Sequence, residues 1–153
     1  MAGIPRSFKL RDELEHAEKG DAKNNDPHSN FVSYGIQEDG VGENGFDKPQ
    51  TYPTQLDRWQ ASIIGPQNTN LGDRIYMLNV YAPSRYPDEP PEIKFNMPKI
   101  NIDCVDSQGK VNSQKLFPEG WKREYTMYQY LVRLRERMAQ QHKNPQPSPD
   151  SSY

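Results

Sequence analysis

The chain has 153 residues and a formal net charge of −2, and 33% of its residues are hydrophobic. This length is typical of one domain with a single core, and the mean hydropathy of −1.06 predicts that part of the chain forms solvated arms and loops. The slight acidity gives no electrostatic case for a nucleic-acid partner. No apolar run approaches the roughly 20 residues that a membrane-spanning helix needs, so no membrane partner is expected.

The sequence contains one cysteine, Cys104. A single cysteine excludes an internal disulfide and fits a reducing compartment. The three histidines, His16, His28 and His142, are scattered along the chain. Because these residues do not cluster as zinc ligands do, we expect no metal site and no cofactor.

The first predicted element is an amphipathic helix. Leu10, Leu14 and Ala17 recur at the spacing of one helical face. Phe8 does not belong to that stripe, because about 100° of rotation per residue turns it roughly 160° away from Leu10. An aromatic side chain turned away from its helix's own apolar face is a candidate interface anchor.

Alternating apolar residues predict four strands, at residues 31–36, 59–64, 74–81 and a short strand at Ile93 and Phe95. Successive strands with modest connections favour an antiparallel meander. Residues 21–30 and 37–55 are predicted to be loops, because both are polar and the second is long and also contains several glycines and prolines.

After the strands, residues 96–124 are predicted to be irregular, since they are rich in Asn, Asp, Gly and Pro. A helix then begins at Thr126, where Thr126 and Gln129 form a capping box. Its apolar face is Met127, Leu131, Leu134 and Met138. Residues 143–153 contain prolines and serines and are predicted to be a disordered tail, so the domain is assigned to residues 1–142.

Several motifs adjoin these elements. Residues 83–91 read Pro-Ser-Arg-Tyr-Pro-Asp-Glu-Pro-Pro, Ile64-Gly65-Pro66 follows the second strand, and Trp121 lies near the end of the irregular segment. With the order of elements, these motifs resemble the ubiquitin-conjugating enzymes, whose signature is Pro-x-x-Tyr-Pro-x-x-Pro-Pro. The resemblance implies an α+β ubiquitin-conjugating-enzyme fold, in which the prolines fix φ at a tight crossing between strands. It also implies that the two C-terminal helices of catalytic members are missing.

The resemblance also aligns the active-site segment. Catalytic members carry His-Pro-Asn, whose asparagine stabilises the oxyanion, and a nucleophilic cysteine after a Gly-x-hydrophobic step. Here residues 99–112 fill that stretch without a gap, so Ile102-Asp103-Cys104 occupies the tripeptide and Asn112 the nucleophile position. Because an amide cannot form a thioester, both the nucleophile and the oxyanion donor are expected to be missing.

Cys104 is a poor substitute nucleophile by sequence. It lies beside Asp103 and Asp106 with no histidine nearby, and carboxylates raise the pKa of a thiol. We expect Cys104 to be a partly buried structural cysteine.

The chain is therefore identified as a ubiquitin-conjugating enzyme variant, the group that lacks the cysteine. Residues 5–15, 73–76 and 121–127 are most similar to the subfamily that supports lysine-63-linked ubiquitin chain synthesis. This implies a non-catalytic cofactor that forms a heterodimer with a catalytic conjugating enzyme and positions acceptor ubiquitin. It also implies localisation to the cytoplasm and nucleus. The known roles of the family include signalling and DNA-damage tolerance, which includes postreplication repair.

Two sets of site residues follow from the resemblance. The partner-binding arm corresponds to Ile4, Pro5, Arg6 and Phe8. The ubiquitin-binding surface corresponds to Ser33, Ser62 and Ile75, and strand alternation places these three side chains together on the outer face of the sheet.

Two alternatives of other classes remain open. The first is an active ubiquitin-conjugating enzyme that uses Cys104. The second is a ubiquitin- and peptide-binding adaptor of endosomal sorting, although such adaptors are expected to carry a coiled coil and no heptad repeats occur in this sequence.

Overall fold

The computed structural model describes residues 6–19, 31–36, 58–141 and 143–153. The predicted extended loops, 21–30 and 37–55, lie outside these residues. The elements are α1 (Arg6–Lys19), β1 (Val32–Ile36), β2 (Arg58–Ile64), β3 (Ile75–Tyr81), β4 (Glu92–Met97), α2 (Ser113–Leu116) and α3 (Met127–Gln140). The described strands form an antiparallel sheet in the order β1-β2-β3-β4, which confirms the predicted meander and the α+β class.

The sheet has one buried face and one open face, as the alternation of its residues predicts. In β3 every second residue, Tyr76, Leu78 and Val80, is buried. Trp59 and Ile63 of β2 are buried on the same side. Helices α1 and α3 contact β1, and the inner face forms the core with their apolar residues. The outer face carries no helix among the described residues.

The capping box predicted for α3 is present. The Thr126 hydroxyl accepts a hydrogen bond from the Gln129 amide at 3.1 Å, and the Gln129 side-chain oxygen accepts one from the Thr126 amide at 3.0 Å. These two bonds satisfy donors that a helix start otherwise leaves unpaired. The predicted apolar stripe of Met127, Leu131, Leu134 and Met138 is buried.

The turn after β2 shows why its motif contains glycine. A Cβ atom on Gly65 would lie 1.8 Å from the carbonyl oxygen of Leu71. The Gly65 amide also donates to the Arg74 carbonyl at 2.9 Å, which closes the connection between β2 and β3. Only a residue without a side chain fits this close approach of two backbone segments.

The segment 96–124 is more regular than its composition predicts. It contains the short helix α2 and a bridge between Val105 and Val111. The Val111 amide donates to the Ile93 carbonyl at 2.9 Å, and the Phe95 amide donates to the Gly109 carbonyl at 2.8 Å. These bonds cover the outer edge of β4, an edge that would otherwise expose unpaired backbone groups.

Residues 143–153, predicted to be disordered, lie along residues 96–101 in the structure. The Tyr153 hydroxyl accepts a hydrogen bond from the Ile100 amide at 3.1 Å, and the Ser151 hydroxyl accepts one from the Lys99 amide at 3.0 Å. Composition indicates only that this segment has little apolar surface to bury. It does not show that its polar groups and terminal ring find specific backbone partners.

Candidate functional site

The backbones of Cys104 and Asn112 are paired across a tight hairpin. The Asn112 amide donates to the Cys104 carbonyl at 2.7 Å, and the Asp106 amide donates to the Lys110 carbonyl at 3.0 Å. Gly109 has a φ of +89°, a conformation that favours glycine at the turn. Cys104 and Asn112, which the family resemblance assigns to the oxyanion and nucleophile positions, are therefore neighbours in space.

The thiol of Cys104 is inaccessible. Its residue is 1% exposed, and burial raises the pKa of Cys104 to about 12, with a further increase from the carboxylate of Asp103. The sequence prediction of a raised pKa is correct in direction, but burial is the largest cause and Asp106 is not the source. The Asp106 carboxylate instead accepts hydrogen bonds from the Gln108 and Lys110 amides, at 2.8 and 2.9 Å. A protonated thiol sealed in the core is a weak nucleophile.

Asn112 has a structural role that explains an amide at this position. It is the N-cap of α2, and its side-chain oxygen accepts a hydrogen bond from the Gln114 amide at 2.9 Å. Asparagine is among the preferred residues at a helix N-cap. The side chain is exposed.

A buried carboxylate that the sequence analysis did not predict holds α1 in place. Glu13 is 2% exposed. One of its carboxylate oxygens accepts a hydrogen bond from the Tyr86 hydroxyl, and the other accepts one from the Met127 amide at 2.5 Å. Glu13 thus joins α1 to the proline motif and to the first residue of α3. No periodicity rule finds it, because a glutamate in an amphipathic helix is normally assigned to solvent.

The proline motif is fixed to the entry of α3. The Trp121 indole N–H donates to the Pro87 carbonyl at 2.8 Å, and the Tyr86 and Trp121 rings lie 6.3 Å apart. The Arg123 guanidinium forms an ion pair with Asp88. The motif residues and the matching tryptophan therefore form one structural unit that supports α1 through Glu13.

Phe8 projects from α1 away from this unit. Its side chain is 58% exposed, whereas Leu10 is fully buried, so the predicted orientation of the two residues is confirmed. Next to Phe8, the Lys9 ammonium donates to the Arg123 carbonyl at 3.2 Å. Of the other predicted arm residues, Ile4 and Pro5 lie outside the described residues and Arg6 begins the helix.

Ser33, Ser62 and Ile75 lie together on the outer face of the sheet, as alternation predicts. Ser33 and Ser62 are directly paired between β1 and β2, and their hydroxyl oxygens are 2.5 Å apart. Ile75 pairs with Ile64 on the neighbouring strand and is 60% exposed. The serine pair and the isoleucine therefore form one small surface, polar at β1 and apolar at β3.

The described residues were also compared with the requirements of a metal site and of a membrane-spanning helix. Across the described residues, no group of three or more histidine, cysteine or acidic side chains is arranged to hold a metal ion. Within the same part of the chain, no helix combines the length and the apolar character needed to span a bilayer.

Comparison with known proteins identifies the family. A model of the ubiquitin-conjugating enzyme family matches residues 37–151, which includes most of the predicted tail. Among solved structures, human ubiquitin-conjugating enzyme E2 G1 is similar with a TM-score of 0.65 and 25% sequence identity, over 90% of this chain and 98% of that chain.

The most similar sequences include variants of that family. The ubiquitin-conjugating enzyme spm2 of Schizosaccharomyces pombe is 37% identical over 100% of this chain and 99% of its own length. The E2 variant 1D of Arabidopsis thaliana is 35% identical over 91% and 84% of the two chains. The variant MMS2 of Saccharomyces cerevisiae is 35% identical over 91% and 88%. The chain therefore belongs to the ubiquitin-conjugating enzyme family and, within it, to the ubiquitin-conjugating enzyme variants.

Proposed function

We propose that this protein is a non-catalytic cofactor that pairs with a catalytic ubiquitin-conjugating enzyme and positions acceptor ubiquitin for lysine-63-linked chain synthesis. The observation that carries the proposal is the state of Cys104, the one cysteine in the sequence. It is 1% exposed with a pKa raised to about 12. A conjugating enzyme needs an accessible thiolate to accept ubiquitin, so the activity is assigned to a partner.

The hairpin geometry supports the alignment on which this assignment depends. Cys104 and Asn112 are joined by a backbone hydrogen bond of 2.7 Å, as expected if they occupy the oxyanion and nucleophile positions of one former active site. Asn112 is held there as a helix cap. A thioester through Cys104 would require the hairpin to open, because the thiol faces the core.

A direct assay distinguishes a non-catalytic variant from an active conjugating enzyme that uses Cys104. The isolated protein is incubated with activating enzyme, ATP and ubiquitin and then resolved without reductant. We expect no ubiquitin adduct. A reductant-sensitive adduct that disappears in Cys104→Ser would instead show that the chain is an active conjugating enzyme.

The proposed docking site for the catalytic partner is the exposed end of α1. Phe8 is an aromatic side chain that its own core does not use, and α1 is held rigidly beneath it by Glu13 and Lys9. A rigid aromatic anchor loses little conformational entropy when a partner covers it, and such residues often dominate the binding energy of an interface.

Calorimetric titration of the partner tests this docking site. Phe8→Ala should weaken binding by at least about 2 kcal/mol, the loss typical of a central aromatic anchor. Tyr81→Ala is a matched control, because Tyr81 is also an exposed aromatic residue, at 40%, but lies on the sheet. Equal affinities for the parent chain and the Phe8 variant would contradict the assignment.

The proposed site for acceptor ubiquitin is the surface of Ser33, Ser62 and Ile75. Its small area and single large apolar residue indicate weak binding. Weak binding is sufficient, because a ubiquitin held beside the partner's thioester attacks in an effectively unimolecular step. Linkage choice then follows from geometry, since only one lysine of the held ubiquitin faces the thioester.

Chain assembly with the catalytic partner tests the whole proposal. Reactions are run with and without this protein, and mass spectrometry measures the linkage of the products. We expect lysine-63-linked chains only when it is present. A variant carrying both Ser33→Arg and Ile75→Arg should bind the partner normally but should not support chain synthesis. Synthesis at the parent rate by that variant would place the acceptor site elsewhere.

A further inference from the structure

We propose that Met77 and Met97 form a second half of the acceptor-ubiquitin surface, extending it from the serine pair across β3 to β4. This inference rests on the proposed function, since it takes the outer face of the sheet as the ubiquitin site. It adds two contact residues that neither the strand alternation nor the family resemblance assigned to that site.

Strand pairing makes the two methionines continuous with the serine pair. Ser33 pairs with Ser62, Ser62 pairs with Met77, and Met77 pairs with Met97. Directly paired residues of an antiparallel sheet project from the same face and lie within about 5.5 Å of one another at Cβ. The four residues therefore form one row that crosses every strand of the sheet.

Met97 reaches this row only because β4 contains a bulge. The alternation of Ile93 and Phe95, both buried, would place residue 97 on the inner face. In the structure Leu78 pairs with Phe95, but the preceding residue, Met77, pairs with Met97. Asn96 is thus the extra residue, and it turns Met97 outward, as bulges commonly redirect a side chain.

The bulge is anchored from outside the sheet. The Asn96 carbonyl accepts a hydrogen bond from the Tyr153 amide at 3.1 Å, and the neighbouring Phe95 amide donates to the Gly109 carbonyl at 2.8 Å. These two bonds fix the backbone around the extra residue, Asn96, which directly precedes Met97. The outward orientation of Met97 is therefore built into the fold.

The row is the centre of an exposed apolar strip. Met77 and Met97 are 39% and 44% exposed, and the adjacent pair of Ile64 and Ile75 is 38% and 60% exposed. Four neighbouring apolar side chains on an open sheet face indicate a binding surface more than a chance distribution of exposed residues. Unbranched methionines adapt their shape to a partner, which suits a contact that must form and release repeatedly.

The composition of the rest of the face limits what can bind there. The next row is polar, with Gln60 paired to Asn79 and Asn79 paired to Lys94. Beyond it, Arg58 and Glu92 pair with Tyr81, an aromatic residue that is 40% exposed but is separated from the strip by the polar row. The apolar strip therefore ends at β3 residue 79, and its occupant must present an apolar patch of limited width. We therefore assign the strip as the binding surface for the apolar patch of the same ubiquitin that contacts Ser33, Ser62 and Ile75.

Methyl NMR on the full chain tests the inference with internal controls. The protein is labelled with carbon-13 at its methionine methyl groups and titrated with unlabelled ubiquitin. We expect the signals of Met77 and Met97 to shift saturably. The signals of Met127 and Met138, which are 1% and 0% exposed in the core, should not move.

Variants give the matching affinity measurement. Met77→Gln and Met97→Gln keep similar side-chain size and should each raise the Kd for ubiquitin about fivefold, whereas Asn79→Ala on the polar row should leave it unchanged. Circular dichroism melting verifies that the exposed substitutions leave the fold intact.

Failure of the inference can be distinguished from failure of the proposed function. If the variant with Ser33→Arg and Ile75→Arg loses ubiquitin binding while the Met77 and Met97 signals and variants behave like the controls, the methionine surface is wrong and the ubiquitin site stands. If the double variant binds ubiquitin normally and no methionine signal moves, both are wrong.

Discussion

Replacing Glu13 tests how α1 is held against the rest of the domain. Its carboxylate accepts hydrogen bonds from the buried Tyr86 hydroxyl and from the Met127 amide. Glu13→Ala leaves both donors buried without an acceptor, and each such donor costs about 1–3 kcal/mol. Because the change also removes the cost of burying a carboxylate, we expect a net loss of about 3 kcal/mol in the free energy of unfolding.

Glu13→Gln is the matched control, since it preserves the shape of the side chain. The amide oxygen can still accept from the Met127 amide, and the amide nitrogen can donate to the Tyr86 hydroxyl, which both donates and accepts. We therefore expect this variant to lose only about 1 kcal/mol. The assay is urea unfolding at neutral pH, followed by the fluorescence of Trp59 and Trp121.

The pH dependence of these variants has a defined sign. Burial raises the pKa of Glu13 above its ordinary value of 4.5. The native state then holds this proton more tightly than the unfolded state, so the contribution of Glu13 to stability falls as pH rises from 4.5 through the raised pKa. The difference in stability between the parent chain and Glu13→Gln should shift against the parent over that window. Parallel curves for the two proteins, or equal losses for the alanine and glutamine variants, would refute the reasoning.

Three further predictions concern other parts of the fold. In native protein a thiol reagent should fail to label Cys104, which is 1% exposed, and labelling should become complete in denaturant; rapid native labelling would contradict the buried assignment. Gly65→Ala should destabilise the domain by at least about 2 kcal/mol in thermal or urea unfolding, because the new methyl group would lie 1.8 Å from the Leu71 carbonyl oxygen; a neutral effect would show that this turn is adaptable. Tyr153→Ala removes the hydroxyl that accepts from the Ile100 amide, and hydrogen exchange of that amide should become faster; unchanged exchange would show that the terminal segment does not protect it.

The secondary structure was predictable because its causes are local. Period-two alternation in β2 and β3 places Trp59 and Tyr76 in the core without reference to the rest of the chain. The capping box at Thr126 likewise fixes the start of α3 from four consecutive residues. The same local periodicity separated Phe8 from the buried stripe of α1, which is why the arm anchor could be proposed from sequence.

The tail and the irregular segment could not be predicted in this way. Their order depends on contacts between residues far apart in sequence, such as the pairing of Tyr153 with Ile100 and of Asn101 with Gln146. Composition describes what a segment can bury, but it does not show which backbone amides elsewhere are left to donate hydrogen bonds to its side chains.

By itself, the sequence determined α1, the four strands and α3 in their order, together with the family, because each of these depends on residue spacing or identity. Only the tertiary structure decided the environment of those residues. Burial, which depends on the whole core, removed Cys104 from solvent and raised the pKa of its thiol. Packing of three separate elements placed Glu13 between them. A single extra residue in β4, visible only in its pairing with β3, turned Met97 onto the open face of the sheet.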